Sequence, residues 1–217
     1  MSPVGLLVTT LIGYFLGSLP FGYLVARAYG VDIFKVGSGN PGATNVKRVL
    51  GEKFGPKGKR AGNLVFVLDA VKGAVAAAWP LLPGIVLAEE RLLGLAGLIA
   101  AVLGHSFSCF TKFKGGKGVA TAAGGLVVLM PVSCLVGALV WLLTFATTRY
   151  VSLGSILAAV AVPATSWFRL YQGKTSLPFS LVATALGLFV IIRHRENIKR
   201  LLAGTETKFV KKSPPAA

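Results

Sequence analysis

Long apolar segments separated by short polar ones make up most of this chain. They lie near residues 3–26, 62–82, 92–110, 118–130, 132–147, 152–169 and 177–192. Most of them approach the roughly 20 residues that an α-helix needs to cross a bilayer. A chain in lipid must satisfy its backbone hydrogen bonds internally, and helices do so. The pattern therefore predicts an all-α integral membrane protein, folded as a single polytopic domain over residues 1–217.

The stretch 118–147 decides how many spans are counted. It is long for one crossing, and Pro131 near its middle would interrupt a helix. We interpret it as two short helices joined by a turn, which brings the count to seven transmembrane helices. A single helix there would bring the count to six.

The distribution of basic residues selects between these counts. With seven spans and the N-terminus outside, most of the 23 Lys and Arg residues fall on the cytoplasmic side. Six spans would place the basic first loop and the basic tail on opposite sides of the membrane. The positive-inside rule therefore favours seven spans with a cytoplasmic C-terminus. Three polar segments, 28–61, 111–118 and 193–212, would then share one membrane face.

Composition supports a membrane protein and leaves the reason for its charge open. Hydrophobic residues make up 54% of the chain and charged residues 14%, whereas a soluble domain carries about 25% charged residues. The net charge of +16 fits cytoplasmic flanks, attraction to anionic headgroups, or an anionic substrate. Cys109 and Cys134 lack metal or redox spacing, so no metal site is expected, and we interpret both as small hydrophobic residues. The N-terminus lacks a basic region and a cleavage site, so we interpret it as a membrane helix rather than a cleaved signal.

Residues 113–118 (FKGGKG) form a glycine- and lysine-rich segment between two apolar ones. Glycines allow consecutive backbone N–H groups to turn into an anion-binding nest, and lysines supply positive donors beside it. The sequence VATAA that follows predicts a helix whose N-terminus points toward the same anion. The segment lacks Ser or Thr after Lys117 and a preceding strand, so it is not a nucleotide P-loop.

The first polar segment predicts a short helix over residues 37–51. Asn40 suits the N-cap, Pro41 the first helical position and Gly51 the stop after the last turn. One interpretation is a capped helix at the membrane interface. The other is a second anion site, which better explains the glycines at positions 37, 39 and 42.

The third polar segment continues the last span into the cytoplasm, and Gly204 is predicted to end its helix. A basic amphipathic helix lying on anionic lipid would explain the arginines and lysines, but it explains His194 and Asn197 less well. Asp69 and Lys72 lie within the second span, where charges are costly unless they are paired or face a cavity. We favour an internal ion pair that braces helices.

These segments together resemble the acyl-phosphate:glycerol-3-phosphate acyltransferase family (PlsY) of bacterial membranes. The matching stretches are 37–48 (GSGNPGATNVKR), 69–73 (DAVKG), 104–105 (GH), 113–121 (FKGGKGVAT), 194–201 (HRENIKRL) and 204–208 (GTETK). Each is weak alone, but the ordered set covers nearly the whole chain and is specific.

The resemblance implies transfer of an acyl group from acyl phosphate to the 1-hydroxyl of sn-glycerol 3-phosphate in phospholipid synthesis. It implies a seven-span enzyme of the cell inner membrane, with a cytoplasmic active site and no cofactor. The expected partners are the two substrates and membrane lipid, with no nucleic acid, and the protein is expected to be a monomer.

The implied roles fall into three groups. The catalytic candidates are His194, Asn197 and Ser38. The substrate-binding candidates are Asn40, Thr44, Asn45, Arg48, His105, Lys114, Gly115, Gly116, Lys117, Gly118 and Lys208, and the structural ones are Asp69, Lys72 and Glu206. His194 is the first candidate for a general base and His105 the second, but a doubly charged acyl phosphate could accept the proton itself.

Other function classes fit less well. A transporter of a phosphorylated solute is the main alternative, but it predicts polar groups through the midplane rather than on one side. Lipid phosphatases and phosphotransferases need acidic metal sites or histidine motifs, and only seven acidic residues are present. No nucleophile elbow and no His-x-x-x-x-Asp pair occurs in the sequence. A basic membrane scaffold would not need the glycines.

Overall fold

A computed structural model describes residues 2–82 and 89–209. Within these ranges all regular secondary structure is helical. It consists of α-helices and two short 3-10 helices at Trp79–Leu81 and Cys109–Thr111. The helices are α1 (Pro3–Ser18), α2 (Phe21–Ala28), α3 (Ala43–Ala78), α4 (Glu90–Ser106), α5 (Val119–Leu129), α6 (Pro131–Thr148), α7 (Val151–Tyr171), α8 (Leu177–Arg193) and α9 (Arg195–Leu202). The end of the predicted segment 193–212 lies outside the described residues.

The all-helical membrane fold is confirmed, and each predicted apolar segment contains a helix. Among the residues that the structure describes, five stretches are long and apolar enough to cross a membrane: Pro3–Ala28, Ala43–Leu81, Glu90–Thr111, α6 and α7. The bent pair of α8 and α9 would make a sixth. Helix α5 has 11 residues, and at 1.5 Å per residue it covers only about half of a bilayer core of roughly 30 Å. Seven crossings and their orientation therefore stay predictions.

The predicted break near Pro131 is present. Helix α5 ends at Leu129 and α6 begins at Pro131. Proline has no N–H to donate and its ring excludes a continuing helix, so it is tolerated only in the first turn. One apolar run therefore becomes two helices.

The boundaries predicted for the first polar helix were wrong at both ends. Gly42, and not Asn40, is the N-cap, and Ala43 begins the helix in place of Pro41. The Asn40 side chain instead accepts a hydrogen bond from the Gly42 N–H at 2.8 Å, which forms a turn ahead of the helix. At the other end, Gly51 lies inside the helix.

The actual interruption of α3 is at Gly55, which has φ 58° and ψ −134° and precedes Pro56. A left-handed φ suits glycine, and proline suits the first turn of the helix that resumes. The two halves of α3 fold back on each other, since a Cβ at Gly58 would overlap the Leu50 carbonyl and one at Gly62 would overlap Lys47. This close return, and not the local sequence, explains why Gly51 continues the helix.

The chain forms two compact units, Met1–Pro131 and Val132–Ala217. In the first, α1 packs on α4 and α3 packs on α5 through glycines. A Cβ at Gly17 would overlap Ala101, and one at Gly124 would overlap Ala70. Small residues at such contacts let backbones approach closely, which is how helices associate in lipid.

The second unit is held by polar contacts between neighbouring helices. The Ser166 and Ser180 hydroxyls, both fully buried, hydrogen-bond at 2.9 Å between α7 and α8. The Trp141 indole N–H on α6 donates to the Ser155 hydroxyl on α7 at 3.3 Å. Such bonds satisfy polar groups that lipid cannot hydrate.

Candidate active site

The glycine–lysine loop has a defined conformation between α4 and α5. Lys112 and Phe113 have left-handed φ values of 52° and 58°. The Phe113 N–H donates to the Ser108 carbonyl at 2.9 Å, and the Thr111 hydroxyl donates to the Lys114 carbonyl at 2.6 Å. Gly118, with φ 81°, is the N-cap of α5. The predicted helix directly after the loop is therefore confirmed.

One amide of the predicted nest has a partner within the protein. The Gly116 N–H donates to the His105 carbonyl at 3.1 Å, so it does not point at an anion. The sequence predicted a run of anion-facing amides and missed this hydrogen bond, because it joins residues in different elements. This hydrogen bond thus connects the centre of the loop to the last turn of α4.

The predicted ion pair between Asp69 and Lys72 is present. The Lys72 ammonium lies 2.8 Å from the Asp69 carboxylate, and both side chains are less than 5% exposed. His105 Nδ1 lies 3.5 Å from the same carboxylate oxygen and its side chain is 9% exposed. Paired charges are the form in which ionisable groups persist within a span.

Polar side chains also satisfy the end of α1. The Lys72 ammonium donates to the Leu19 carbonyl at 2.9 Å, and the Ser108 hydroxyl donates to the Ser18 carbonyl at 2.6 Å. The last carbonyls of a helix have no intrahelical partner, and lipid offers none. These two hydrogen bonds therefore stabilise the turn from α1 into α2.

A cavity opens beside these groups. It is a small cleft that is open to the outside. Its walls combine the loop, the buried charges and the first polar segment: Lys114, Gly115 and Gly116, then Asp69, Lys72 and His105, and Pro41. Two of the three predicted segments thus meet at one cavity within the first unit.

The first polar segment is organised around Asn45, which is 3% exposed. Its carbonyl oxygen accepts from the Ser38 N–H at 3.0 Å and from the Arg48 guanidinium at 2.7 Å. Its amide nitrogen donates to the Val36 and Asn40 carbonyls at 3.2 and 3.0 Å. Asn45 therefore holds the turn that leads into α3.

Around Asn45, the other predicted residues are accessible. Ser38 and Thr44 are exposed, and Arg48 is half-buried. Its hydrogen bond to Asn45 fixes the guanidinium near the start of α3. The turn therefore presents hydroxyls and a positive charge at a helix N-terminus, an arrangement suited to an anion.

In the second unit, His194 lies between α8 and α9, which are bent by 58°. The third polar segment therefore follows the last apolar helix directly, as the sequence predicted, but with a bend at His194. His194 Nδ1 lies 2.7 Å from the Val190 carbonyl and the residue is 3% exposed. A carbonyl can only accept, so Nδ1 carries a proton and Nε2 is the acceptor nitrogen of the neutral ring.

Glu206 gathers three side chains in the second unit. Its carboxylate accepts from Asn197 at 2.7 Å and Ser152 at 2.8 Å through one oxygen, and from the Arg200 guanidinium at 2.7 Å through the other. The sequence identified Asn197 and Glu206 but missed Ser152, which is far away along the chain.

The tail turns at Gly204, as predicted. Gly204 has φ 68° and follows the end of α9, and the Thr205 N–H donates to the Arg200 carbonyl at 2.8 Å. Farther along, the exposed Lys208 ammonium lies 5.3 Å from the centre of the Tyr150 ring. Through these contacts the segment after α9 packs against the rest of the second unit.

The hydrogen bonds to Glu206 predict how the stability of the protein depends on pH. Burial opposes ionisation, but hydrogen bonds from Asn197, Ser152 and Arg200 outweigh it and hold the Glu206 pKa below its ordinary 4.5. A carboxyl with a lowered pKa stabilises the fold above its ordinary pKa, and the contribution is lost as the pH falls through the folded value. We expect the unfolding temperature in detergent to fall below about pH 4.5, and to fall less in Glu206→Gln.

Glu196→Gln is the matched control, because Glu196 lies on α9 but is exposed. Equal acid sensitivity in Glu206→Gln and the unmodified protein would show that Glu206 does not carry the effect.

Residues 7–204 match the family model of glycerol-3-phosphate acyltransferase. The chain belongs to the glycerol-3-phosphate acyltransferase family. It is 46% identical over 207 residues to a glycerol-3-phosphate acyltransferase of Synechococcus sp. (strain JA-2-3B'a(2-13)), covering 95% of this chain and 96% of the relative. It is 43% identical over 204 residues to that of Aquifex aeolicus (strain VF5), covering 94% and 98%.

Solved structures agree with this membership. The crystal structure of PlsY (YgiH), an integral membrane glycerol 3-phosphate acyltransferase, in its glycerol 3-phosphate form has a TM-score of 0.81 at 40% identity, covering 94% of this chain and 96% of that one. Its lysophosphatidic acid form has a TM-score of 0.78 at the same identity, covering 94% and 95%. As a member of the glycerol-3-phosphate acyltransferase family, the chain is a membrane-embedded acyltransferase of phospholipid biosynthesis.

Proposed function

We propose that this chain transfers an acyl group from acyl phosphate to the 1-hydroxyl of sn-glycerol 3-phosphate. The products are 1-acyl-glycerol 3-phosphate (lysophosphatidic acid) and inorganic phosphate. The observation that carries the proposal is the glycine–lysine loop beside a cavity that Pro41 of the first polar segment also lines. The related PlsY structures, described as glycerol 3-phosphate and lysophosphatidic acid forms, support the acceptor and the product.

The bond changes are simple, because acyl phosphate is a mixed anhydride that is already activated. The glycerol hydroxyl oxygen attacks the carbonyl carbon, the carbon–oxygen bond to phosphate breaks, and phosphate leaves with the electron pair. The hydroxyl proton goes to a base. Holding both reactants in line supplies a large share of the catalysis.

In this proposal the loop holds the phosphate of glycerol 3-phosphate. Lys114 and Lys117 supply positive charge, and the backbone of Gly115, Gly116 and Gly118 lets the phosphate approach closely. The start of α5 adds the positive end of a helix dipole. Charge of this kind counts for more near lipid than in bulk water, because the local dielectric constant is lower.

The first polar segment binds the acyl phosphate. Ser38, Asn40, Thr44 and Arg48 hold its phosphate and polarise its carbonyl, which stabilises the charge that develops in the transition state. We assign Asn45 to positioning, since its carbonyl oxygen and its amide nitrogen both bond within the protein.

In this proposal the third polar segment orients the acceptor hydroxyl and can accept its proton. His194 and Asn197 orient the glycerol hydroxyls, and His194 is the side-chain candidate for the base. In an alternative route the departing phosphate takes the proton itself, with His194 only orienting. Glu206 braces Asn197 through the hydrogen bond between them, and Lys208 adds positive charge for the substrates. We also propose that one chain suffices as a monomer.

Phosphate release by the purified protein tests the proposal. We expect release only when acyl phosphate and glycerol 3-phosphate are both present, with one lysophosphatidic acid formed per phosphate released. Acyl-CoA and acyl carrier protein replace the donor in control reactions. Turnover with either of these, and none with acyl phosphate, would contradict the proposed donor.

We further propose seven spans in the cell inner membrane, with an external N-terminus and a cytoplasmic active site. In a Cys109→Ser/Cys134→Ser background, single cysteines Lys57→Cys and Lys174→Cys are treated with a membrane-impermeant thiol reagent on spheroplasts. Both positions are exposed. We expect Lys174→Cys to react at once and Lys57→Cys only after permeabilisation. Protection of position 174 until permeabilisation would favour six spans, because one crossing fewer moves it to the cytoplasmic side.

A further inference from the structure

The ring of His105 lies against the backbone of Gly116. A Cβ added at Gly116 would overlap His105 Nε2, and one at Gly115 would overlap the His105 carbonyl oxygen. That carbonyl also accepts the Gly116 N–H at 3.1 Å. His105 therefore contacts the centre of the loop twice, once through its ring and once through its backbone.

The other side of the His105 ring faces the buried charges. Its Nδ1 lies 3.5 Å from the Asp69 carboxylate, which also pairs with Lys72 at 2.8 Å. Lys72 in turn donates to the Leu19 carbonyl and lies 5.5 Å from the centre of the Phe21 ring. These contacts form one continuous series from the end of α1 to the loop.

The ion pair cannot brace two helices by itself, because Asp69 and Lys72 lie three residues apart on α3. The contacts that join helices are those to third partners, from Lys72 to α1 and from Asp69 to His105 on α4. Charges in a span are costly and persist where they serve a function. Because Asp69 and Lys72 reach the loop through His105, we infer that the two charges support the loop.

We propose that Lys72, Asp69 and His105 form a positioning chain that fixes the backbone of Gly115 and Gly116, and so sets the affinity of the loop for the phosphate of glycerol 3-phosphate. The inference rests on the proposed function in that the loop holds this phosphate. The three residues act through the loop, and an error of about 1 Å in such a site costs on the order of a hundredfold.

A double-mutant cycle at Gly116 and His105 tests the central contact. Gly116→Ala inserts a methyl group where the ring lies, and His105→Ala removes the ring. We expect each single change to raise the KM for glycerol 3-phosphate by about ten- to a hundredfold, with a smaller effect on kcat. The double variant has room for the methyl group, so we expect its KM to be no higher than that of the worse single variant.

The charged end of the chain is tested in the same assay. Asp69→Asn keeps the shape of the side chain but leaves Lys72 without a carboxylate, and we expect the KM for glycerol 3-phosphate to rise. Asp69→Asn/Lys72→Met removes both charges and is assayed in parallel, so that a poorly folded single variant does not end the experiment. We expect it to fold and to retain a raised KM, because its loop lacks support.

Ser166→Ala is the matched control, since it removes a fully buried hydrogen bond within the second unit. We expect it to lower the unfolding temperature while the KM is unchanged. Additive effects in the Gly116–His105 cycle, or a loss of kcat with an unchanged KM, would overturn the positioning chain. An unchanged KM in Lys117→Ala would instead contradict the loop assignment itself, so the two failures are distinguishable.

Discussion

His194→Ala lowers kcat by about a hundred- to ten-thousandfold if His194 accepts the proton from the glycerol hydroxyl. The hydrogen bond from Nδ1 to the Val190 carbonyl holds the ring and its tautomer, so that Nε2 is the acceptor nitrogen. Rates at saturating acyl phosphate and glycerol 3-phosphate measure the effect. Lys199→Ala is the control, because Lys199 is exposed on the neighbouring α9, and we expect it to keep its turnover.

His194→Gln separates the two proton routes. Glutamine can hydrogen-bond to a hydroxyl but cannot accept its proton at neutral pH. If His194 is the base, His194→Gln is as slow as His194→Ala. If acyl phosphate takes the proton and His194 only orients the hydroxyl, His194→Gln retains much of the turnover. Full activity in His194→Ala would exclude both roles.

Lys117→Ala raises the KM for glycerol 3-phosphate by about ten- to a hundredfold, since a hydrogen bond to a charged group contributes about 1.5–3 kcal/mol. We expect this increase in KM to be smaller at high salt, because ions screen the attraction between lysine and phosphate. Initial rates at varied glycerol 3-phosphate, with acyl phosphate saturating, give the KM directly.

Lys112→Ala is the matched control for Lys117→Ala. Lys112 carries the same charge in the same segment but precedes the glycines. A specific contact at Lys117 predicts a much smaller change in Lys112→Ala. Equal effects in the two variants would mean that only the net charge of the segment matters, and that Lys117 makes no particular contact.

The sequence predicted the helical fold well because apolar runs and proline act locally. Pro131 ends one helix and begins another, and Gly118 precedes α5, as expected from their backbone preferences. The same local rules failed at Gly51. Whether a helix passes through a glycine there depends on its packing against the returning half of α3, and that contact is made by residues on the far side of Gly55.

For the site, the sequence identified residue types and missed the contacts between them. The pair of Asp69 and Lys72 could be predicted from their spacing on one helix. Their contacts with His105 and the Leu19 carbonyl could not, because these partners lie far from α3 along the chain, on α4 and directly after α1. The same holds for Ser152, whose bond to Glu206 joins residues that no periodicity relates.

The spacing of Asp69 and Lys72 also bears on how the chain enters the membrane. Two opposite charges three residues apart can pair as soon as their own helix has formed, before α1 or α4 is in place. We therefore expect α3 to pass from the insertion machinery into lipid as a segment without net charge at that depth, although each charge alone would oppose insertion by about 2.5–3.5 kcal/mol. We then expect a substitution that removes the charge of Asp69 or Lys72 alone to reduce insertion of α3 more than a double substitution that removes both charges.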